Sequence, residues 1–190
     1  MSKAKLTVKI ENVVASASLK HRIELSAVTK AFPDVEYRPE QFPGLIFRLK
    51  RPRTTTLIFG SGKMVCTGAR SEKEARKALR RLVKTLKEGG IIIAGKLEIK
   101  ITNIVASANL DGAVDLLELY EGERSMGGRI MYEPEQFPGL IYRMEDPRAV
   151  ILLFSTGKLV CTGARREEDV HKAINKLHQE LEDKGVIRYE

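Results

Sequence analysis

The turns Gly60-Ser-Gly-Lys63 and Thr156-Gly-Lys158 have the residue types that could bind phosphate, because glycine and lysine form nucleotide-binding loops. Such a loop requires Gly-x-x-x-x-Gly-Lys followed by Ser or Thr. Here Leu57 takes the place of the first glycine and Met64 follows the lysine. The spacing therefore predicts hairpin turns between strands, without phosphoryl chemistry.

Thiol and imidazole groups offer no alternative chemistry. Cys66 and Cys161 stand in strand-like segments without a nearby Cys or His, which favours two small buried thiols over a metal site or a disulfide. No serine and histidine are paired by a motif, and the three histidines lack metal-ligand spacing. We therefore expect no catalysis, no metal and no cofactor.

Two asparagines occupy equivalent places in apolar strands. Asn12 opens Asn-Val-Val-Ala-Ser, and Asn103 opens Asn-Ile-Val-Ala-Ser. An amide within an apolar stripe destabilises the fold unless it finds hydrogen-bond partners. The residues alone leave two interpretations open: the amides hold a bulge or turn together, or they bind a ligand.

Two phenylalanines stand in rigid turns. The sequence Glu-Gln-Phe-Pro-Gly-Leu-Ile occurs at residues 40–46 and again at 135–141. Its proline and glycine, with a further proline just before it, predict a protruding turn that exposes Phe42 and Phe137.

These residues belong to a unit that the chain contains twice. Residues 37–82 and 132–177 align at a constant offset of 95 with 26 identities in 46 positions. The asparagine segments repeat at an offset of 91, so the second copy has four additional residues, expected near residues 121–128. The sequence predicts a first repeat at residues 1–95 and a second at residues 96–190.

Each repeat is predicted to contain about five strands and a long helix, which makes an antiparallel α+β unit with helices on one side. A capping box at Ser71 begins the first long helix, and the second is predicted from about Glu167 to Lys184. A short strand is predicted at Val35 to Arg38. The apolar helix faces are Ala75, Ala78, Leu79, Leu82, Val83 and Leu86, and Val170, Ala173, Ile174, Leu177 and Leu181.

The strands after each turn are apolar on both faces, as in Thr-Thr-Leu-Ile-Phe at residues 55–59. Such strands normally have a layer on each side, but the helices cover only one face. Either the uncovered faces pack together as a sandwich within the chain, or they stay open as binding surfaces.

Charge is divided unevenly between the repeats. Residues 1–95 hold 20 Lys/Arg and 8 Asp/Glu, or +12, whereas residues 96–190 hold 13 and 17, or −4. A basic half suggests a polyanionic partner, although a solvated surface that merely differs between copies would look the same. No apolar run reaches the ~18 residues that span a bilayer, so we expect an intracellular protein without a membrane partner.

The duplicated Glu-Gln-Phe-Pro-Gly-Leu-Ile, the turns Arg-Pro-Arg53 and Asp-Pro-Arg148, and the duplicated Gly-Lys-x-Val-Cys-Thr-Gly-Ala-Arg resemble the TATA-box-binding proteins, over essentially the full chain. The agreement of both copies resembles the archaeal branch more than the eukaryotic one. The resemblance implies a saddle with a ten-stranded concave sheet and helices on the convex side. It also implies a general transcription initiation factor, cytoplasmic and nucleoid-associated in an archaeon or nuclear in a eukaryote.

The resemblance implies roles for residues in both repeats. Phe42, Phe59, Phe137 and Phe154 match wedges that kink DNA. The minor-groove contacts match Asn12, Val14, Leu57, Val65, Thr67, Asn103, Val105, Leu152, Val160 and Thr162. The phosphate contacts match Arg48, Ser61, Lys63, Arg70, Arg143, Thr156, Lys158 and Arg165. Preference for A·T pairs is implied, since guanine adds an amino group to the minor groove.

The partners implied by the resemblance are A·T-rich promoter DNA, transcription factor B and, indirectly, RNA polymerase. The site for transcription factor B matches Glu133, Glu135 and Gln136, in the acidic half. The alternative is a module for single-stranded nucleic acid, or a basic protein adaptor, that uses the same apolar sheet as a stacking platform.

Overall fold

The computed structural model describes residues 6–123 and 129–190. The four additional residues of the second repeat were expected near residues 121–128, and residues 124–128 of that stretch lie outside the described residues. The chain divides into two compact units, one of residues 12–102 and one that joins residues 103–190 to the segment ending at Glu11.

The unit of residues 12–102 is a sheet covered by helices. Its sheet has the antiparallel order β2-β3-β4-β1, with a register shift between Val13 and Ala15. The elements are β1 (Thr7–Ser18, of which Asn12 onward belongs here), α1 (Leu25–Ala31), β2 (Leu45–Lys50), β3 (Arg53–Ile58), β4 (Lys63–Ala69) and α2 (Glu72–Glu88).

Helix α2 confirms the prediction from its apolar spacing. The Ser71 hydroxyl caps it by accepting a 3.0 Å hydrogen bond from the Glu74 N–H, and Glu74 in turn accepts from the Arg70 N–H. The buried positions are the six predicted ones, Ala75, Ala78, Leu79, Leu82, Val83 and Leu86. This stripe packs on β3 and β4.

The other unit has the same plan with further short strands. Its sheet order is β5-β10-β9-β8-β7, and β6 pairs separately with β11. The elements are β5 (Glu98–Asn109, of which Asn103 onward belongs here), β6 (Ala113–Val114), α3 (Leu116–Glu123), β7 (Ile130–Met131), β8 (Leu140–Glu145), β9 (Arg148–Leu153), β10 (Lys158–Ala164), α4 (Glu167–Asp183) and β11 (Ile187–Arg188). Helix α4 buries the five residues predicted and packs on β9 and β10.

The predicted α+β fold of two repeats is confirmed, with one strand fewer. Within the described residues one unit has the four strands β1 to β4 and the larger sheet of the other has the five strands β5 and β7 to β10, nine against the ten expected. The predicted strand at Val35 to Arg38 is reduced to a single bridge between Glu36 and Ile46. The Val35 N–H bonds to the Phe32 carbonyl in a turn around Pro33, so only Glu36 is left to pair.

Burial alternates along the strands and distinguishes the two faces of each sheet. In β3 and β4 the side chains of Thr56, Ile58, Met64 and Cys66 are buried beneath α2. Their neighbours on the other face are only half-buried. Within the described part of each unit, therefore, helices cover one face of the sheet and the other face stays open.

Candidate nucleic-acid interface

The open face of the first unit carries the apolar residues predicted to meet a groove. Leu57 pairs with Val65, and Val65 pairs with Ser16, so adjacent strands place these side chains side by side. Val14, Leu57, Val65 and Thr67 are all half-buried. The side chains are therefore partly packed against one another yet remain accessible, as the apolar floor of a binding surface requires.

The second unit repeats this floor in the same register. Leu152 pairs with Val160, and Val160 pairs with Ser107. Val105, Leu152, Val160 and Thr162 are half-buried like their counterparts. An open hollow of about 720 Å³ lies on this floor beside Phe154, with Lys9 and Lys158 at its rim. Apolar floor and cationic rim are thus adjacent, the combination expected for a polyanion with an apolar edge.

The two asparagine amides are held by strands that are distant in sequence. Asn12 Nδ2 donates to Thr67 Oγ1 at 2.9 Å, and Asn12 Oδ1 accepts from the Gly68 N–H at 2.7 Å. These bonds support the first of the two interpretations that the sequence left open, a structural role for the amides. They use only one of the two protons on each Nδ2, so the other proton is available to a ligand.

Phe42 and Phe59, 17 residues apart, form one aromatic pair. Their ring centroids lie 6.0 Å apart at an interplanar angle of 68°, an edge-to-face arrangement. A Cβ on Gly44 would lie 2.8 Å from Cε1 of Phe42 and 3.1 Å from Cε1 of Phe59. The glycine therefore leaves the space into which both rings fit.

Phe137 and Phe154 form the equivalent pair in the second unit, with centroids 5.8 Å apart and the same angle of 68°. Gly139 lies beneath them as Gly44 does beneath the first pair. Phe42 and Phe137 are exposed, whereas Phe59 and Phe154 are half-buried. Each pair thus has one projecting ring and one ring that supports it.

Backbone hydrogen bonds fix the turns from which the rings project. The Phe42 N–H donates to the Arg38 carbonyl at 3.0 Å, and the Phe137 N–H donates to the Glu133 carbonyl at 2.9 Å. Pro43 and Pro138 follow and fix the chain direction. The predicted rigid turns are therefore present in both copies.

The lysine-containing turns are hairpins, as predicted. The Phe59 N–H donates to the Lys63 carbonyl, and the Gly62 N–H donates to the Phe59 carbonyl, both at 2.9 Å. Gly62 has φ +92°, and a Cβ there would lie 2.1 Å from the His21 carbonyl oxygen. Only glycine fits this turn, which explains the residue type without any phosphate.

The cationic side chains expected to reach phosphates are exposed in both units. Arg48 also forms an ion pair with Glu36 at 2.8 Å, whereas Met131 takes the place of Glu36 near its counterpart Arg143. The exposed set is Arg48, Ser61, Lys63, Arg70, Arg143, Thr156, Lys158 and Arg165. The Ser61 and Thr156 hydroxyls lie 3.4 Å from the Lys63 and Lys158 backbone nitrogens, inside the hairpins.

Glu133, Glu135 and Gln136 are exposed on the turn that carries Phe137. Their counterparts in the first repeat are Arg38, Glu40 and Gln41. The two turns share a backbone but differ in the sign of the first charge. A partner that reads charge could therefore distinguish them.

The thiols are buried, as predicted. Burial raises the pKa of the Cys66 thiol and raises the pKa of the Cys161 thiol to about 11, so both stay neutral. Across residues 6–123 and 129–190, no cluster of His, Cys, Asp and Glu could hold a metal ion. No helix within those ranges is long and apolar enough to cross a membrane.

Sequence reasoning missed the role of Gly68 and Gly163. Their backbone N–H groups donate to the two asparagine side-chain carbonyls. Residue type does not reveal such a contact, because every residue except proline has a backbone N–H. The available signal was the recurrence of Thr-Gly-Ala-Arg at residues 67–70 and 162–165. The recurrence indicates that both repeats have a glycine at this position, but it does not predict the hydrogen bond to the asparagine.

The fold and the open faces define a class: a duplicated α+β protein whose two sheets each present an apolar, amide-bearing surface with cations at the edge. Residues 7–89 and 98–184 match the family model described as "Transcription factor TFIID (or TATA-binding protein, TBP)". The chain belongs to this family of transcription factors.

Similar proteins agree over nearly the whole chain. The TATA-box-binding protein of Sulfurisphaera tokodaii is 53% identical over 184 residues, which cover 97% of this chain and 91% of that protein. The Archaeoglobus fulgidus TATA-box-binding protein is 46% identical, covering 95% and 97%. The solved structure of Methanococcus jannaschii TBP matches with a TM-score of 0.79 and 44% identity, covering 93% and 98%.

Proposed function

We propose that this protein is a general transcription initiation factor that binds the minor groove of a TATA box. The observation that carries the proposal is the half-exposed apolar face of each unit, with an amide and a projecting phenylalanine pair on it. The minor groove at A·T pairs presents acceptors and no amino group. A flat apolar floor with amide donors complements that surface.

The phenylalanine pairs act as wedges in this proposal. Phe42 and Phe137 project from rigid turns, and Phe59 and Phe154 support them edge-to-face. Inserting an apolar side chain between base pairs unstacks that step at about a few kcal/mol, which wider contact must offset. Flexible TA steps unstack more easily than G·C-rich steps, so deformability adds to the A·T preference.

The ring geometry favours a wedge over a stacking platform for single strands. Stacking requires an open ring face, whereas here the two rings of each pair meet at 68° and Gly44 or Gly139 lies against their edges. The two rings of a pair are therefore steeply inclined to each other and do not form one flat platform. A single projecting ring can enter a base step, whereas two inclined rings give successive splayed bases no common plane on which to stack.

The acidic turn at Glu133, Glu135 and Gln136 supplies the contact to transcription factor B, which in turn recruits RNA polymerase. These side chains are exposed, and the first repeat has Arg38 where the second has Glu133. A basic surface on the partner would therefore prefer the second repeat to the first.

A gel-shift series with a TATA duplex, a G·C duplex of equal length and the single strands tests the proposal. We expect binding to the TATA duplex alone, and circular permutation of the site should change the mobility of the complex because the DNA is bent. Preference for single strands, or a bound duplex without a bend, would support the stacking platform instead.

A further inference from the structure

Two glycines outside the predicted site hold the two asparagines in one orientation. The Gly68 N–H lies 2.7 Å from Asn12 Oδ1, and the Gly163 N–H lies 2.7 Å from Asn103 Oδ1. Both glycines have positive φ, +102° and +96°. The same contact thus occurs twice, with the same unusual backbone.

This contact determines which end of the amide faces outward. A backbone N–H can only donate, so the asparagine atom 2.7 Å away must be the carbonyl oxygen. The Nδ2 group then donates one proton to Thr67 at 2.9 Å, and Asn103 does the same to Thr162 at 3.2 Å. Within the described residues, no acceptor meets the second proton of either amide.

We propose that Gly68 and Gly163 are positioning residues that set the selectivity for A·T over G·C pairs. The inference rests on the minor-groove function proposed above. With its oxygen held, each asparagine can only donate to the groove, where adenine N3 and thymine O2 accept. A rotated amide would present its oxygen, which accepts a hydrogen bond from the amino group of guanine.

Backbone conformation, not space, demands glycine at these positions. A Cβ on Gly68 would lie 3.5 Å from the Arg53 carbonyl oxygen, and a Cβ on Gly163 would lie 3.8 Å from Ala149 Cα, both ordinary contacts. An L-residue at positive φ is strained, however. Alanine therefore fits the site but drives φ toward negative values, and this rotation turns the N–H away from the asparagine oxygen.

Gly68→Ala and Gly163→Ala test the proposal, with Gly90→Ala as the matched control. Gly90 has φ +90° and no atom within 4 Å of an added Cβ, so its variant introduces the same backbone strain without touching an asparagine. Affinities are measured by titration on a TATA duplex and on duplexes with single A·T→G·C changes.

We expect the ratio of TATA affinity to substituted-duplex affinity to fall about tenfold at the base pair nearest each altered asparagine, the value of one hydrogen bond. Gly90→Ala should keep the wild-type ratio. An unchanged ratio in Gly68→Ala, or an equal loss on every duplex, would overturn the positioning role. A wild-type protein without TATA preference would instead contradict the proposed function.

A measurement without DNA covers the case in which the glycine variants fail to fold. Hydrogen exchange of the Gly68 amide is compared between the wild-type protein and Asn12→Ala, with the Gly90 amide as reference. The Gly68 amide should exchange at least tenfold faster in Asn12→Ala. Equal rates would mean that the contact does not hold the amide, and the proposal would fail.

Discussion

Truncating the projecting ring of the second unit by Phe137→Ala tests the wedge directly. Phe137 is 37% exposed in the free protein. A phenylalanine side chain presents roughly 200 Å², so insertion would bury roughly 75 Å² more. At about 25 cal/mol per Å² this area contributes about 2 kcal/mol, which corresponds to about 30-fold weaker binding in the variant.

Two assays on the same duplex distinguish the contribution of the phenylalanine wedge from that of the apolar sheet face. Titration gives the affinity, and circular permutation gives the bend angle. The bend should decrease because no aromatic side chain of this pair's turn is inserted to unstack the base step. Leu117→Ala is the control, because Leu117 is a large apolar residue exposed at 56% on α3 of the same unit, outside the turn and strands that carry the proposed wedge. An undiminished bend in Phe137→Ala, whatever the affinity, would refute the wedge.

Three further predictions follow from contacts described above. Glu133→Arg, which installs the charge of Arg38, should weaken the complex with transcription factor B while TATA affinity stays unchanged. The reciprocal Arg38→Glu makes the first turn acidic as well and should not weaken that complex, and undisturbed assembly of Glu133→Arg in a ternary gel shift would contradict the partner site. Lys158→Ala should lower the slope of log affinity against log salt by about 0.9, one phosphate contact, and an unchanged slope would remove Lys158 from the interface. Thr56→Val should stabilise the fold by about 1 kcal/mol in urea unfolding, because the buried Thr56 hydroxyl makes no well-formed hydrogen bond within the described residues and meets only the weakly polar Cys66 thiol. Thr54→Val, which loses a bond to the Pro52 carbonyl, should not stabilise the fold.

Local pattern was sufficient for the helices and for which side chains share a strand face, but it left undecided whether that face is open or packed within the chain. The 3.6-residue spacing of Ala75 to Leu86 predicts which side of α2 is buried, because a helix repeats its faces independently of the rest of the chain. The alternation of Leu57 and Ile58 likewise predicts that adjacent side chains reach opposite faces of a sheet. The repeat then allowed each inference to be made twice.

Contacts that depend on register were beyond the sequence. Thr67 lies 55 residues from Asn12, and only the pairing of β1 with β4 brings them together. The predicted strand at Val35 to Arg38 failed for a related reason. Its residues favour an extended chain, but the turn around Pro33 leaves a single residue in position to pair.

The turns that carry Phe42 and Phe137 start at residues of opposite charge, Arg38 and Glu133, on nearly identical backbones. The two repeats share most of the features proposed to contact DNA. Those shared contacts alone would allow the protein to bind a promoter in either orientation. We expect the divergence at these two positions to determine which neighbouring gene is transcribed. Exchanging the two residues should then reverse the direction of transcription from the promoter.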